Sequence, residues 1–253
     1  MNALRLTRTV LGAFGLACLA ACTTAGPDPA SYDPIEGVNR YVFEVNRFGD
    51  EFVLKPVAVI YRGTVPQPAR ESVTNALGNL RLPWTFLNDL MQGNWNRAGD
   101  AAIRFGVNST VGFFGLFDPA KDMGYLQHEE DFGQTLGVHG VGDAPYLVLP
   151  LVGPSSLRDA AGLAVDQFLD PVNVVARGGI NLDGNWFTWT RSGLSAVDSR
   201  EHNLEAIAEL ERGSVDFYAA VRSAWRQRRA ADIQNRTTTG PAGELDAVPG
   251  LFR

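Results

Sequence analysis

The sequence predicts a mainly α fold, a single domain of amphipathic helices joined by Gly/Pro-rich apolar loops. Three observations carry this. Apolar residues recur three or four positions apart in segment after segment, the period of one helix face. Only one short run, Tyr146-Leu147-Val148-Leu149, reads as a strand. The connections hold bulky apolar residues together with Gly and Pro, whereas a compact bundle uses short polar turns.

The first helix is expected from Pro34 to about Leu54, with Val38, Val42, Val45, Phe48 and Phe52 on one face and Pro56 ending it. Pro66-Gln67-Pro68 opens a second, carrying Val73, Ala76, Leu77 and Leu80 and stopped by Pro83. Trp84, Leu87, Leu90 and Met91 mark a short third. Asn94 is the N-cap expected for a fourth, which holds Ala98, Ala101, Ala102 and Phe105 and runs to about Val111. The loop Gly112-Phe113-Phe114-Gly115-Leu116-Phe117-Asp118-Pro119 is unusually apolar, and residues 131–153 are rich in glycine. Ser156, with Asp159 three positions on, approximates a capping box for a helix to about Leu169. Residues 199–231 read as one long helix with a shift of phase around Gly213.

The termini differ from this body. Arg5 and Arg8 precede an uncharged apolar run over residues 10–21, followed by Cys22. That run is too short for a permanent span and ends in small residues, as a signal peptide does. Cys22 directly after Leu19-Ala20-Ala21 resembles a bacterial lipobox, in which the cysteine takes acyl chains; an ordinary signal peptide cleaved near Ala21 is the alternative. Thr23 after the cysteine, where an Asp signals inner-membrane retention in enterobacteria, favours the outer membrane. The expected organisation is a leader (1–21), an acylated Cys22 with its tether (22–32), a helical domain (33–233) and a polar tail expected to be disordered (234–253).

Removing residues 1–21 leaves 232 residues and takes away two arginines, so the formal charge moves from −6 to −8. Such an acidic chain is a poor partner for nucleic acid. Cys18 leaves with the leader, so no intrachain disulfide can form. No later apolar run reaches the 18 residues of a transmembrane helix, and the alternating segments of a membrane barrel are not seen.

The chemistry-bearing motifs are few. There is no nucleophile elbow, no His-Glu-x-x-His, no phosphate-cradling loop and no spaced cysteine set, so no catalytic residue, metal site or cofactor is expected. His128-Glu129-Glu130-Asp131 reads as a solvated acidic loop, with a metal site as the sharper alternative. His139 reads as a structural hydrogen-bonding side chain, with a general base as the alternative. Trp186, Phe187 and Trp189 suit either a membrane interface or a core. Arg222, Arg226, Arg228 and Arg229 form a basic helix end, read as a solvated face, with a seat for an acidic partner or lipid phosphates as the alternative.

Several segments in order resemble the MlaA (VacJ) family of outer-membrane lipoproteins. They are Asp33-Pro34-Ile35-Glu36-Gly37-Val38-Asn39-Arg40, Lys55-Pro56-Val57-Ala58, Val65-Pro66-Gln67-Pro68-Ala69-Arg70, Phe132-Gly133-Gln134-Thr135-Leu136-Gly137, Gly140-Val141-Gly142, Pro145-Tyr146, Leu149-Pro150, and Gly153-Pro154-Ser155 with Leu157-Arg158-Asp159. The resemblance implies a ring of helices in the inner leaflet around an amphipathic channel. It implies removal of phospholipid that has strayed into the outer leaflet, handed to a soluble periplasmic carrier of the Mla pathway. In enterobacteria it also implies trimeric porins as neighbours. On that basis Asn39 and Asn46, seven apart on one stripe, are channel-lining candidates, with a solvent-facing stripe as the alternative. Gly137, Gly140 and Gly142 are candidates for a flexing loop near the channel, with simple tight turns as the alternative. A lipid-anchored scaffold and a lipid-modifying enzyme are the competing function classes.

Overall fold

A computed structural model describes residues 32–178 and 184–235. The leader, Cys22, most of the tether and most of the tail lie outside these residues. Helix α1 (Glu36–Gly49) does not stop before Pro56 as expected. It passes through a π-helical stretch, Asp50–Leu54, directly into α2 (Lys55–Thr64). The physical reason lies in the widened turn. The Lys55 N–H reaches back five residues to the Asp50 carbonyl. That offset leaves room at the point where a proline ring would strike the carbonyl four residues before it.

The second expected stop also fails. Helix α3 (Gln67–Gln92) runs through Pro83, so the expected second and third helices are one. Tertiary packing overrides the local cost: α3 buries Leu77, Leu82 and Trp84 together with Thr85, Asn88 and Asp89. Gly93, at φ 79°, ends it in the left-handed conformation. Helix α4 (Trp95–Thr110) then packs back along α3; Asn94 occupies its N-cap position without a side-chain cap bond. The apolar loop follows, with Phe113 and Phe114 both at positive φ.

Asp118 caps the short α5 (Pro119–Asp122), and Asp131 caps α6 (Phe132–Val138) by accepting from the Gln134 N–H. The expected strand is β1 (Tyr146–Leu149), paired antiparallel with β2 (Gly153–Ser156) so that Tyr146 faces Ser156 and Leu149 faces Gly153. Ser156 caps α7 (Leu157–Leu169) through the Asp159 N–H, at the expected start and end. Helices α8 (Pro171–Gly178) and α9 (Gly184–His202) occupy what reads in sequence as connection. The expected long helix over 199–231 is broken twice, into the end of α9, α10 (Leu204–Gly213) and α11 (Phe217–Ile233). The second break falls at the phase shift near Gly213, and Asp216 caps the helix that restarts.

One apolar cluster, Phe43, Tyr146, Val148, Tyr218 and Val221, joins α1, β1 and α11. Its rings meet edge to face, Phe43 with Tyr218 at 5.4 Å and Tyr146 with Trp225 at 5.6 Å. Beyond it the buried residues are mostly polar. Among the described residues, 22 buried side chains are polar or charged against 13 apolar. The usual ordering is inverted, because large apolar residues crowd the outside. Tyr41, Phe48, Phe52, Val53 and Ile60 project from α1 to α2, and Trp95, Phe113, Phe114, Phe117, Phe168, Trp186 and Trp189 from the rest. Phe114 is 78% and Trp189 75% exposed. So many large apolar side chains on the outside are unusual for a soluble monomer. Among the described residues no helix is long and apolar enough to cross a membrane.

Candidate functional site: a charged cavity inside an apolar rim

A cavity of about 510 Å³ lies between α3, residues 129–131, the hairpin, α7, α9 and α11. Its wall holds four arginines (Arg81, Arg191, Arg228, Arg229) and seven carboxylates (Glu129, Glu130, Asp131, Asp159, Asp166, Asp170, Asp232). Apolar residues complete it, among them Leu77, Trp84, Leu163, Trp189 and Trp225, with Leu151 from the hairpin tip. The lumen is therefore amphipathic.

Arg229 is the anchor of this wall. Its guanidinium donates to both Asp131 oxygens at 2.7 and 2.6 Å and to Asp159 Oδ1 at 2.8 Å. Burial works against the Arg229 charge, but Asp131 and then Asp159 outweigh it and hold its pKa above the usual arginine range. Arg158 backs the same carboxylate, donating to Asp159 at 3.0 and 3.1 Å. Arg81 forks onto Glu129 at 3.0 and 2.9 Å and reaches Ser195 Oγ at 2.8 Å. Arg191 donates to Asp170 at 2.7 Å and to the Leu80 carbonyl, one of those near the Pro83 interruption. Asp166 accepts from the Trp84 indole N–H at 2.7 Å and from the Phe132 backbone N–H at 3.0 Å.

The expected acidic loop is not solvated. His128 and Glu130 are buried, and the four neighbours point to four different partners. The His128 ring meets Asp89 at 2.8 Å, Glu129 takes Arg81, Glu130 accepts from Arg97 at 3.0 Å and Gln92 at 2.9 Å, and Asp131 takes Arg229. Because they diverge, they do not converge on one ion. Among the described residues no group of His, Cys, Asp or Glu is placed to hold a metal.

Burial raises the Glu130 pKa, partly offset by Gln92 and Arg97. The native state thus holds this proton more tightly than the unfolded chain. The group's contribution to stability is greatest below the ordinary glutamate range and falls as pH rises through the raised native value. Glu130→Gln should therefore flatten the fall in denaturant midpoint as pH rises above the ordinary glutamate range. Parallel wild-type and variant profiles would refute it.

The other sequence candidates are placed as follows. Asn39 is 2% exposed, and its amide is spent on the hairpin and the chain start: Nδ2 donates to Asp33 and to the Tyr146 carbonyl, and Oδ1 accepts from the Val148 N–H. Asn46 repeats this two turns on, donating to the Leu149 carbonyl and accepting from the Leu151 N–H. Both do share one stripe. That stripe faces β1, so neither the channel-lining nor the solvent-facing expectation describes Asn39; the pair clamps the hairpin whose tip lines the cavity.

Gly137 lies inside α6 rather than in a loop. A Cβ there would come within 2.8 Å of Ile233 Cδ1, so a side chain at this position would push the end of Ile233 aside. Gly140 sits at φ 87° in the turn after α6, and Gly142 in open space before the hairpin. His139 Nδ1 meets the Thr135 carbonyl at 2.8 Å, the structural role expected. Trp186 and Trp189 are exposed, which removes the core reading for both.

The basic end of α11 is not a solvated face. Arg222 pairs with Asp33 at 3.2 Å, Arg226 donates to the Tyr32 carbonyl, and Arg228 lies 3.8 Å from Asp232. Sequence reading missed Asp89, Arg97 and Arg191. For the first a signal exists: Thr85, Asn88 and Asp89 repeat at helical spacing on the buried face of α3.

A family model described as MlaA lipoprotein matches residues 31–232. The chain belongs to this family. The Escherichia coli K12 intermembrane phospholipid transport system lipoprotein MlaA is 35% identical over 225 residues, covering 85% of this chain and 84% of the relative. The MlaA of Haemophilus influenzae is 32% identical over 199 residues, covering 77% and 76%. A solved structure described as the structural basis for maintenance of bacterial outer membrane lipid asymmetry superposes with a TM-score of 0.71 at 32% identity. It covers 80% of this chain and 99% of that one. The mainly α fold is thus shared with that structure.

Proposed function

We propose that this MlaA-family protein removes mislocalised phospholipid from the outer leaflet of the outer membrane and passes it to a periplasmic carrier. The observation that carries the proposal is the inverted polarity, a charged lumen inside an apolar rim. A phospholipid headgroup crosses hydrocarbon only at high cost, because unpaired charge is expensive to bury. A lumen of fixed ion pairs lowers that cost, while the acyl tails stay against apolar residues. The relatives named for intermembrane phospholipid transport support the same reading.

The rim seats the protein in the inner leaflet, with Trp186 and Trp189 at the depth where aromatic rings favour the interface. Acyl chains on Cys22 supply the tether; each buried CH₂ adds about 0.8 kcal/mol. No bond chemistry is required. The turn at Gly140 and Gly142 lets the hairpin shift, which moves Leu151 at the cavity wall. A trimeric porin beside the rim is a further expected neighbour.

The test is surface phospholipid in cells lacking the protein, read by an acyltransferase that acts only on outer-leaflet phospholipid. Deletion should raise it and wild type restore it, with expressed Cys22→Ala failing to do so. No rise on deletion, in a strain without a second homologue, would leave an anchored scaffold as the better reading.

A further inference from the structure

The loop between α4 and α5 holds its backbone in a strained form and keeps apolar side chains outside. Phe113 (φ 52°), Phe114 (φ 60°) and Gly115 (φ 87°) stand in succession in the left-handed region. Glycine adopts it freely, but a bulky L side chain does so only at a cost in free energy. Neither ring is buried in return. Phe113 is 62% and Phe114 78% exposed, and Val111 and Phe117 beside them are exposed as well. The two rings meet edge to face at 5.7 Å.

The loop is held from within. Every N–H from Val111 to Phe117 donates to a carbonyl of the chain, at 2.8 to 3.4 Å. A Cβ on Gly112 would stand 2.5 Å from the Asn108 and Phe117 carbonyl oxygens, and one on Gly115 2.5 Å from Asn79 Cβ on α3. Asn79 in turn donates to Ser109 Oγ at 3.0 Å. An exposed loop ordinarily leaves some of its donors to water. Hydrocarbon offers them no partner, so a segment that enters it must satisfy them internally. Charge is excluded too. Residues 105–117 contain no charged side chain. The two that bracket them, Arg104 and Asp118, pair with each other at 2.8 Å.

From this we infer that residues 111–117 form a preformed tip that enters lipid hydrocarbon, a second attachment besides the acyl chains on Cys22. The inference rests on the seating of the rim in the inner leaflet and specifies which part of it goes deepest. A protein partner fits less well, because interfaces between proteins are knit by hydrogen bonds as well as apolar contact. This tip offers such a partner neither an unpaired backbone N–H nor a charge. Because the loop is already ordered, insertion brings no further loss of backbone freedom.

The test is fluorescence quenching in the full mature lipoprotein, whose own Cys22 thiol is blocked by acylation. An environment-sensitive label is attached to one introduced cysteine, Phe114→Cys or Trp186→Cys. The vesicles are phosphatidylethanolamine and phosphatidylglycerol, with a nitroxide either on the headgroup or midway down the acyl chain. At position 114 the acyl-chain nitroxide should quench more than the headgroup one, and at position 186 the order should reverse. Quenching at 186 without any at 114 overturns the tip and leaves the seating of the rim standing. Quenching at neither overturns both. Partition of the unacylated Cys22→Ala protein into the same vesicles, free of nitroxide, gives the magnitude. Phe113→Ser with Phe114→Ser should lower it about 100-fold, about tenfold for each ring. Phe114→Asn separates strain from packing, because Asn tolerates the left-handed conformation. It should raise the denaturation midpoint while still lowering partition about tenfold. Unchanged partition in these variants overturns the inference, and so does a lowered midpoint in Phe114→Asn, which would make the ring part of the packing.

Discussion

Arg229→Met should destabilise the fold by about 3–5 kcal/mol, the range for removing one partner of a buried ion pair. The variant leaves Asp131 and Asp159 facing each other in the cavity wall without the guanidinium that bridges them. Arg158 still donates to Asp159, but Asp131 loses at once the two bonds that Arg229 donates to it. The expected measurement is a large fall in the denaturation midpoint at neutral pH. A second variant separates charge from packing. Asn is as good an N-cap as Asp, so Asp131→Asn should still accept from the Gln134 N–H that starts α6. Combined with Arg229→Met it should recover a good part of the loss. If the double variant is no more stable than Arg229→Met alone, the cost lies in lost packing of the arginine stem and not in an orphaned carboxylate.

The sequence and the structure agree where local signals are strong and part where packing decides. Ser156 as a cap, α7 ending at Leu169 and β1 at Tyr146–Leu149 are all legible, because caps and short β-rich runs act locally. Pro56 and Pro83 mislead for one reason: a proline's cost can be absorbed by the tertiary setting, in one case through a π turn and in the other inside a long packed helix. Helices α8 and α9 are hidden because the first is only eight residues long and the second mixes Gly, Trp, Ser and charged residues without a regular apolar repeat. The charged wall is the least legible part. Its pairs join residues up to 98 positions apart, as Arg229 does with Asp131, and nothing in local spacing selects one partner among many. The basic run at 222–229 and the acidic run at 128–131 each read as solvated surface; in space they meet where Arg229 pairs with Asp131, and their other members take partners elsewhere in the chain.

Gly162→Ala is expected to destabilise the protein by about 2–3 kcal/mol, the upper part of the range for overpacking. The sign is the informative part. In an exposed helix interior the same change stabilises by about 0.5–1 kcal/mol, since alanine gives up less entropy than glycine. Gly162 lies mid-way along α7, where α6 crosses on its bare backbone. A Cβ there would stand 2.4 Å from the Gly133 nitrogen and 2.7 Å from its Cα. Neither atom belongs to a flexible side chain, so the helices must separate. Gly133 has no room to yield either, because its own missing Cβ leaves space for Asp159 and Arg229, whose nearest atoms would be 2.5 and 2.6 Å away. The close approach is thus what brings Asp131 and Asp159 onto one guanidinium. Separation of α6 from α7 should weaken the ion pairs as well as the contact, which links lumen chemistry to two glycines. Gly106→Ala in α4 is the control: its Cβ would meet nothing within 4 Å, and it should be neutral or stabilising. Equal and favourable shifts at both positions, read by chemical denaturation, would show that the crossing can open without cost.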